Sequence, residues 1–235
     1  MANLHSPVTE FGSDLIESVL FDFDNTLIDR DAGFRKFCSI LFRSISLISN
    51  SSSESDMLDF MIDLDKAGMG DRHKLFEEVI FRWPGCFENT DAAVEFYMNN
   101  YPKLLIISSE TESMLKDLDS HGVSYGIVTN GGSEMQWAKI HGSGLSNFTE
   151  NVLVSGDVGI EKPAPGIFRI AMDMIGADKD KTLFVGDNPD TDILGAYTYG
   201  LKTAWISLDR EWERTAYSPD YVINHVSEVR NIVLG

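Results

Sequence analysis

Apolar positions fall along this chain in two kinds of run, short continuous ones and longer periodic ones, and the two predict different elements. Residues 19–23, Val-Leu-Phe-Asp-Phe, are branched and aromatic enough for a strand buried on both faces of a parallel sheet. Runs at 123–129, 152–154, 182–186, 203–206 and 221–223 predict further strands. Between them lie helical stretches at 133–141, 165–175 and 191–199. Another helix opens on a capping box, Ser109-Glu110-Thr111-Glu112, and ends at Gly122. Strands and helices in alternation predict an α/β fold built on a doubly wound parallel sheet with helices on both faces.

The alternation breaks after the first strand. Residues 29–50 carry Phe34, Phe37, Ile40, Leu41, Ile45 and Ile48 at helical intervals, and a serine-rich loop follows at 49–56. A second helical stretch, 57–67, stops at Gly68-Met69-Gly70-Asp71. A third, 73–83, stops at Pro84-Gly85, and a fourth, 91–101, stops at Pro102. From about 30 to about 103 there is no strand signal. The expected division is a catalytic core of residues 1–28 and 104–235 with an inserted all-helical cap of residues 29–103.

Composition narrows the partners. The formal charge of −18, from 37 acids against 19 bases, argues against a nucleic acid polymer or an anionic membrane surface, both of which demand basic patches. A small anionic substrate stays open, because a divalent metal inverts the local field of an acidic site. Cys38 and Cys86 make neither a metal tetrad nor a redox pair. Residues 1–18 lack the pattern of a secretory leader, and no apolar run approaches the roughly 18 residues of a membrane span. A soluble, cytoplasmic monomer or homodimer is expected.

Candidate chemistry sits where the strands end. Asp22 and Asp24 close the first strand and, with a period of two, face the same side. Thr129 and Asn130 end the second, Lys162 lies in the loop Gly159-Ile160-Glu161-Lys162-Pro163, and Asp187 with Asp192 follows the strand at 182–186. In an open α/β sheet ligands bind at the carboxyl edge, so these groups are expected to converge on one crevice. Together they hold what phosphoryl transfer needs: a carboxylate nucleophile, a proton shuttle, a hydroxyl and an ammonium for phosphoryl oxygens, and acids for Mg²⁺.

Asp22-Phe23-Asp24-Asn25-Thr26, Ile127-Val128-Thr129-Asn130-Gly131, Glu161-Lys162-Pro163 and Gly186-Asp187-Asn188-Pro189-Asp190-Thr191-Asp192 resemble, in order and spacing, the four motifs of the haloacid dehalogenase superfamily. The resemblance implies a Rossmann-like core and a helical cap of the family's first type. It further implies that Asp22 attacks phosphorus and that Asp24 protonates the leaving oxygen and then activates water. Thr129, the backbone near Asn130, and Lys162 are implied to bind the phosphoryl group. Mg²⁺ falls to Asp22, the backbone carbonyl of Asp24, and Asp187, with Asp192 either a ligand through water or an anchor for Lys162. The substrate implied is a small phosphate monoester, a nucleoside 5′-monophosphate or a sugar phosphate. A 2-haloacid dehalogenase, a phosphomutase and a catalytically silent phosphate-binding scaffold are the alternatives; Asp24 speaks against the first. Residues 68–72 are the expected specificity loop. Arg35, Lys36, Arg72, His73 and Lys74 are candidates for substrate contact, Trp83 belongs to the core, and His5, His121, His141 and His225 have no ligand spacing.

Overall fold

The computed structural model describes residues 15–46 and 53–235. The expectation of no leader falls largely on residues 1–14, which with the end of the first cap helix at Ile48 and residues 49–52 of the serine-rich loop lie outside the described residues. In chain order the elements are β1 (Ser18–Phe21), α1 (Arg30–Ser46), α2 (Glu54–Asp65), α3 (Arg72–Arg82), α4 (Thr90–Asn100), α5 (Ser109–Ser120), β2 (Ser124–Thr129) and α6 (Ser133–Ser143). Then come β3 (Val152–Val154), α7 (Ser155–Val158), α8 (Pro165–Ile175), β4 (Thr182–Gly186), α9 (Leu194–Tyr199), β5 (Lys202–Ile206), β6 (Tyr221–Ile223) and α10 (Val229–Val233).

The six strands of the described residues are all parallel, in the order β3-β2-β1-β4-β5-β6, so β1 lies between β2 and β4. Alternate residues of each strand serve opposite faces. Val19, Phe21, Ile127, Leu183 and Val185 pack with Met114, Leu115 and Leu118 of α5 and Val229 of α10, while Leu20, Val128 and Phe184 pack with Ile167, Phe168 and Met172 of α8. The sheet is doubly wound, and α1 to α4 form the helical insertion between β1 and α5. Its core, built on Phe37, Met61, Phe76, Val79 and Tyr97, is continuous with the α5 face of the sheet. Among the described residues no helix is long and apolar enough to cross a membrane.

Several boundaries differ from the sequence reading, and two have a clear local cause. The first strand ends at Phe21 rather than 23: Asp22 N–H still donates to Val185 O at 2.8 Å, but Phe23 O then receives Leu27 N–H at 3.0 Å, and Asn25 turns the chain at φ +57°. The α5 cap is Ser108 rather than Ser109. The Ser108 hydroxyl accepts Thr111 N–H at 3.0 Å, whereas Ser109 lies inside the helix and donates to Glu110. Two adjacent serines offer two registers, and the extended backbone of Ser108 decides between them.

Candidate active site

The carboxyl ends of β1, β2 and β4 open into a cavity of about 440 Å³ roofed by residues of the insertion, within the range of small-molecule sites. Asp22, Asp24, Thr129, Asn130, Lys162, Asp187 and Asp192 all line it, so the seven residues singled out from sequence share one crevice.

Lys162 organises the floor. Its buried ammonium donates to Asp22 Oδ1 at 2.6 Å and to Val128 O at 2.8 Å, and it pairs with Asp192 Oδ1 at 2.8 Å. An ammonium has three donors, so in this state Lys162 is fully engaged with the chain itself. Asp192 is placed by a reciprocal cap. Its Oδ2 accepts Asn188 N–H at 3.0 Å, and Asn188 Oδ1 accepts Asp190 and Thr191 N–H at 2.9 and 3.1 Å. Gly186 permits this approach, since a Cβ there would stand 2.5 Å from Asp192 Oδ2. The anchoring of Lys162 is thus the geometry that Asp192 adopts.

Asp22, Asp187 and Asp192 bring carboxylate oxygens within 4.8 Å of one another. Burial first, and the nearby Asp192 carboxylate in addition, push the Asp22 carboxyl up to about 7 and that of Asp187 to about 8; Lys162 opposes the shift at Asp22. Trp205 Nε1 and Arg210 Nη2 donate to the Asp187 carbonyl at 2.9 and 2.7 Å, and fix that residue over the sheet edge. Crowded, hard oxygen donors that resist ionisation suit a small divalent cation.

Asp24 lines the same cavity but has different company. Its Oδ2 accepts from Lys139 Nζ and, at 3.1 Å, from Gln136 Nε2, while its buried Oδ1 has no partner. Burial works to raise its pKa, but the Lys139 ammonium, the Gln136 amide and the Arg30 guanidinium together outweigh it and hold the carboxyl below the ordinary carboxylate value. Gln136 Nε2 also donates to Thr129 Oγ1 at 2.5 Å, which leaves the threonine proton to point elsewhere. Asn130 commits its side chain to the fold and leaves its backbone, the part the resemblance assigns to the phosphoryl group. Its side chain donates to Lys162 O and accepts Lys162 N–H, both at 2.8 Å, so it ties two loops together and only its backbone is available to an anion.

Sequence reasoning missed Lys139, Gln136, Arg30, Asp65, Tyr97 and Arg210, all tied to this site. Gln136 and Lys139 offered one signal: they are polar residues three apart on the same helical face as the core residue Ile140. Of the cap candidates, Arg72 lines the cavity with Gly68, Met69 and Gly70, whereas Arg35, Lys36, His73 and Lys74 are not among its lining residues. Trp83 is core, and His121, His141 and His225 lie away from the cavity. His5 lies outside the described residues.

Acids gathered on one sheet edge around a buried lysine, under a helical roof, define a capped α/β enzyme. A family model described as haloacid dehalogenase-like hydrolase matches residues 19–206, and the chain belongs to that family. It is 31% identical to the phosphoserine phosphatase of Thermus thermophilus over 161 residues, which are 67% of this chain and 63% of that relative. It is 27% identical to the N-acylneuraminate-9-phosphatase of Mus musculus over 93% of this chain and 94% of the relative. The HAD-hydrolase YfnB of Bacillus subtilis, solved bound to magnesium, shares the fold with a TM-score of 0.70 at 24% identity, covering 93% of this chain and 99% of that one. A solved dehalogenase shares it equally, with a TM-score of 0.70 at 20% identity over 94% of this chain and 98% of that one.

Proposed function

We propose that the chain is a Mg²⁺-dependent phosphatase that hydrolyses a small-molecule phosphate monoester through an aspartyl phosphate on Asp22. The observation that carries this reading is the separate pairing of two acids two residues apart, Asp22 with Lys162 and Asp24 with Lys139. Identical side chains in different company are suited to different roles.

Asp22, oriented by Lys162, attacks phosphorus and expels the alkoxide; the new bond is carboxylate oxygen to phosphorus, and the bond lost is phosphorus to ester oxygen. Asp24, whose Oδ1 has no partner within the protein, hands a proton to the departing oxygen. It then takes one from the water that attacks the aspartyl phosphate, which returns Asp22 and releases phosphate. Because Lys139 keeps Asp24 ionised in the resting state, the base half of this cycle is set in advance, and the acid half requires Asp24 to take up a proton first. Thr129 donates its free proton to a phosphoryl oxygen. Asp22, Asp187 and the backbone carbonyl of Asp24 would hold Mg²⁺, with Asp192 at its margin. When bound, the ion neutralises the crowded carboxylates and the phosphoryl oxygens.

A phosphate-release screen over nucleoside monophosphates, sugar phosphates and p-nitrophenyl phosphate tests the reading. Turnover should vanish on chelation and return with added Mg²⁺. Undiminished turnover in metal-stripped protein would point to dehalogenase-like chemistry, phosphate transfer to a second hydroxyl to a mutase, and silence with every ester to a scaffold.

A further inference from the structure

Between Asp24 and Thr129 lies a side chain that the catalytic cycle above leaves without a role. Gln136 stands in the first turn of α6, is buried, and lines the cavity. Its Nε2 has two protons and meets two acceptors, Asp24 Oδ2 at 3.1 Å and Thr129 Oγ1 at 2.5 Å. The orientation of the amide follows from the first of them. Asp24 Oδ2 already receives the Lys139 ammonium, so it faces Gln136 as an acceptor, and the NH2 of the amide rather than its oxygen must meet it. The same NH2 then meets Thr129. The turn after β2 also keeps space for this side chain: Gly131 has φ +147°, and a Cβ there would stand 2.9 Å from Gln136 Cγ and Cδ.

A hydroxyl has one proton and two lone pairs, and it turns the proton to suit its neighbours. Facing a donor at 2.5 Å, Thr129 Oγ1 must accept, so its proton is turned off the line to Gln136. Two other donors of the turn are committed. The Asn130 side chain is tied to the Lys162 backbone, and Gly131 N–H donates to Ser155 Oγ at 3.0 Å. Lys162 Nζ has its three contacts within the chain. The direction of one hydroxyl proton therefore weighs heavily in how phosphoryl oxygens are received. A hydroxyl left to rotate has the alternative of spending its proton on a protein oxygen, which turns a lone pair toward the phosphate and sets acceptor against acceptor.

We propose that Gln136 is a positioning residue that acts through Thr129: it fixes the threonine hydroxyl as a donor to the phosphoryl group and ties that donor to the acid–base carboxylate Asp24. This rests on the phosphatase reading above. Lys139 meets the charge of Asp24, whereas Gln136 supplies direction to Thr129.

The test is a double-mutant cycle on kcat/KM of the full chain for p-nitrophenyl phosphate with Mg²⁺. Gln136→Met, of similar length but without a donor, should cost about 10-fold, the lower end of the range for a hydrogen bond to a charged group. In a Thr129→Val background, which has no hydroxyl to direct, the same change should cost less than about 2-fold, the scatter of independent sites. In Thr129→Ser, which keeps the hydroxyl, the cost should return. Gln136→Glu keeps the shape but accepts where the amide donated, so it should cost more than Gln136→Met, and more in the wild-type background than in Thr129→Val. No cost of Gln136→Met in the wild type overturns the proposal. So does an equal cost in the wild-type and Thr129→Val backgrounds, since a role in folding, or on Asp24 alone, survives loss of the hydroxyl. If Gln136→Met fails to fold, Gln136→Glu decides by the same comparison of backgrounds. Turnover with equal costs overturns this inference alone. No release from any ester overturns the phosphatase reading as well.

Discussion

The floor and the roof of the cavity solve the problem of buried charge in opposite ways. On the floor each base is matched to an acid at close range: Lys162 to Asp22 and Asp192, Lys139 to Asp24, and Arg210 to Asp187 at 3.4 Å. In the roof Arg30 and Arg72 share the buried Asp65, Arg30 donates to the exposed Asp31 as well, and both guanidiniums lean on aromatic rings. A floor so tightly paired suits one reaction, because each charge is fixed by the next. The roof, where two guanidiniums share a carboxylate beside the cavity, suits recognition. Backbone geometry draws the same contrast. The residues 68–72 segment depends on Gly70, where a Cβ would lie 2.2 Å from Leu64 O, and it presents Met69 at 81% exposure beside the cavity.

Substitutions should therefore divide by region. The largest effect is expected at Asp22→Asn, which replaces the proposed nucleophile by an amide of the same shape: turnover of every ester should fall to background while the melting curve stays near wild type. Retained activity on any ester would break the comparison at its centre. Next comes Asp24→Asn, expected to cost about 10²–10⁴-fold in kcat. With a good leaving group such as p-nitrophenolate, the second half-reaction should suffer more. Intact-protein mass spectrometry should then show a chain heavier by one phosphoryl group, mapping to the peptide that holds Asp22; an adduct elsewhere would reassign the nucleophile.

Lys139→Met removes one partner of a buried pair and leaves Asp24 without its counter-ion, which should cost on the order of 3 kcal/mol in chemical denaturation. A loss below about 1 kcal/mol would mean that the pair is no stronger than a surface one. In the roof, Met69→Ala should alter the ranking of phosphate esters more than it alters the mean rate across them. An unchanged ranking would move recognition out of the 68–72 segment.

The smallest effect is on stability against pH. Asp22 and Asp187, at about 7 and about 8 against an ordinary 3.8, bind more protons folded than unfolded between those limits. Metal-free protein should therefore lose stability as pH rises from about 4 to about 8. Mg²⁺ favours the ionised acids, so the rise in Tm that it produces should be larger at pH 8 than at pH 5. Equal shifts at both would count against Asp22 and Asp187 as its ligands.

What the sequence determined by itself was the floor's inventory and its position. A parallel strand delivers the residue after it to the carboxyl edge of the sheet, so Asp22, Thr129 and Asp187 were readable as neighbours although each is over fifty residues from the next. The break at Gly68-Met69-Gly70-Asp71 was equally legible, because glycine and a capping aspartate act locally. Tertiary structure alone decided which base serves which acid. Lys139 lies 115 residues from Asp24, and Asp65 lies 35 from Arg30. Nothing local in a lysine on a helix, or in an aspartate at a helix end, says which opposite charge it will meet. That partner is set by which elements pack together: Lys139 of α6 beside the turn after β1, and Asp65 at the end of α2 against Arg30 at the start of α1, in an insertion whose rings Phe34, Phe37, Tyr97 and Tyr101 pack on one another.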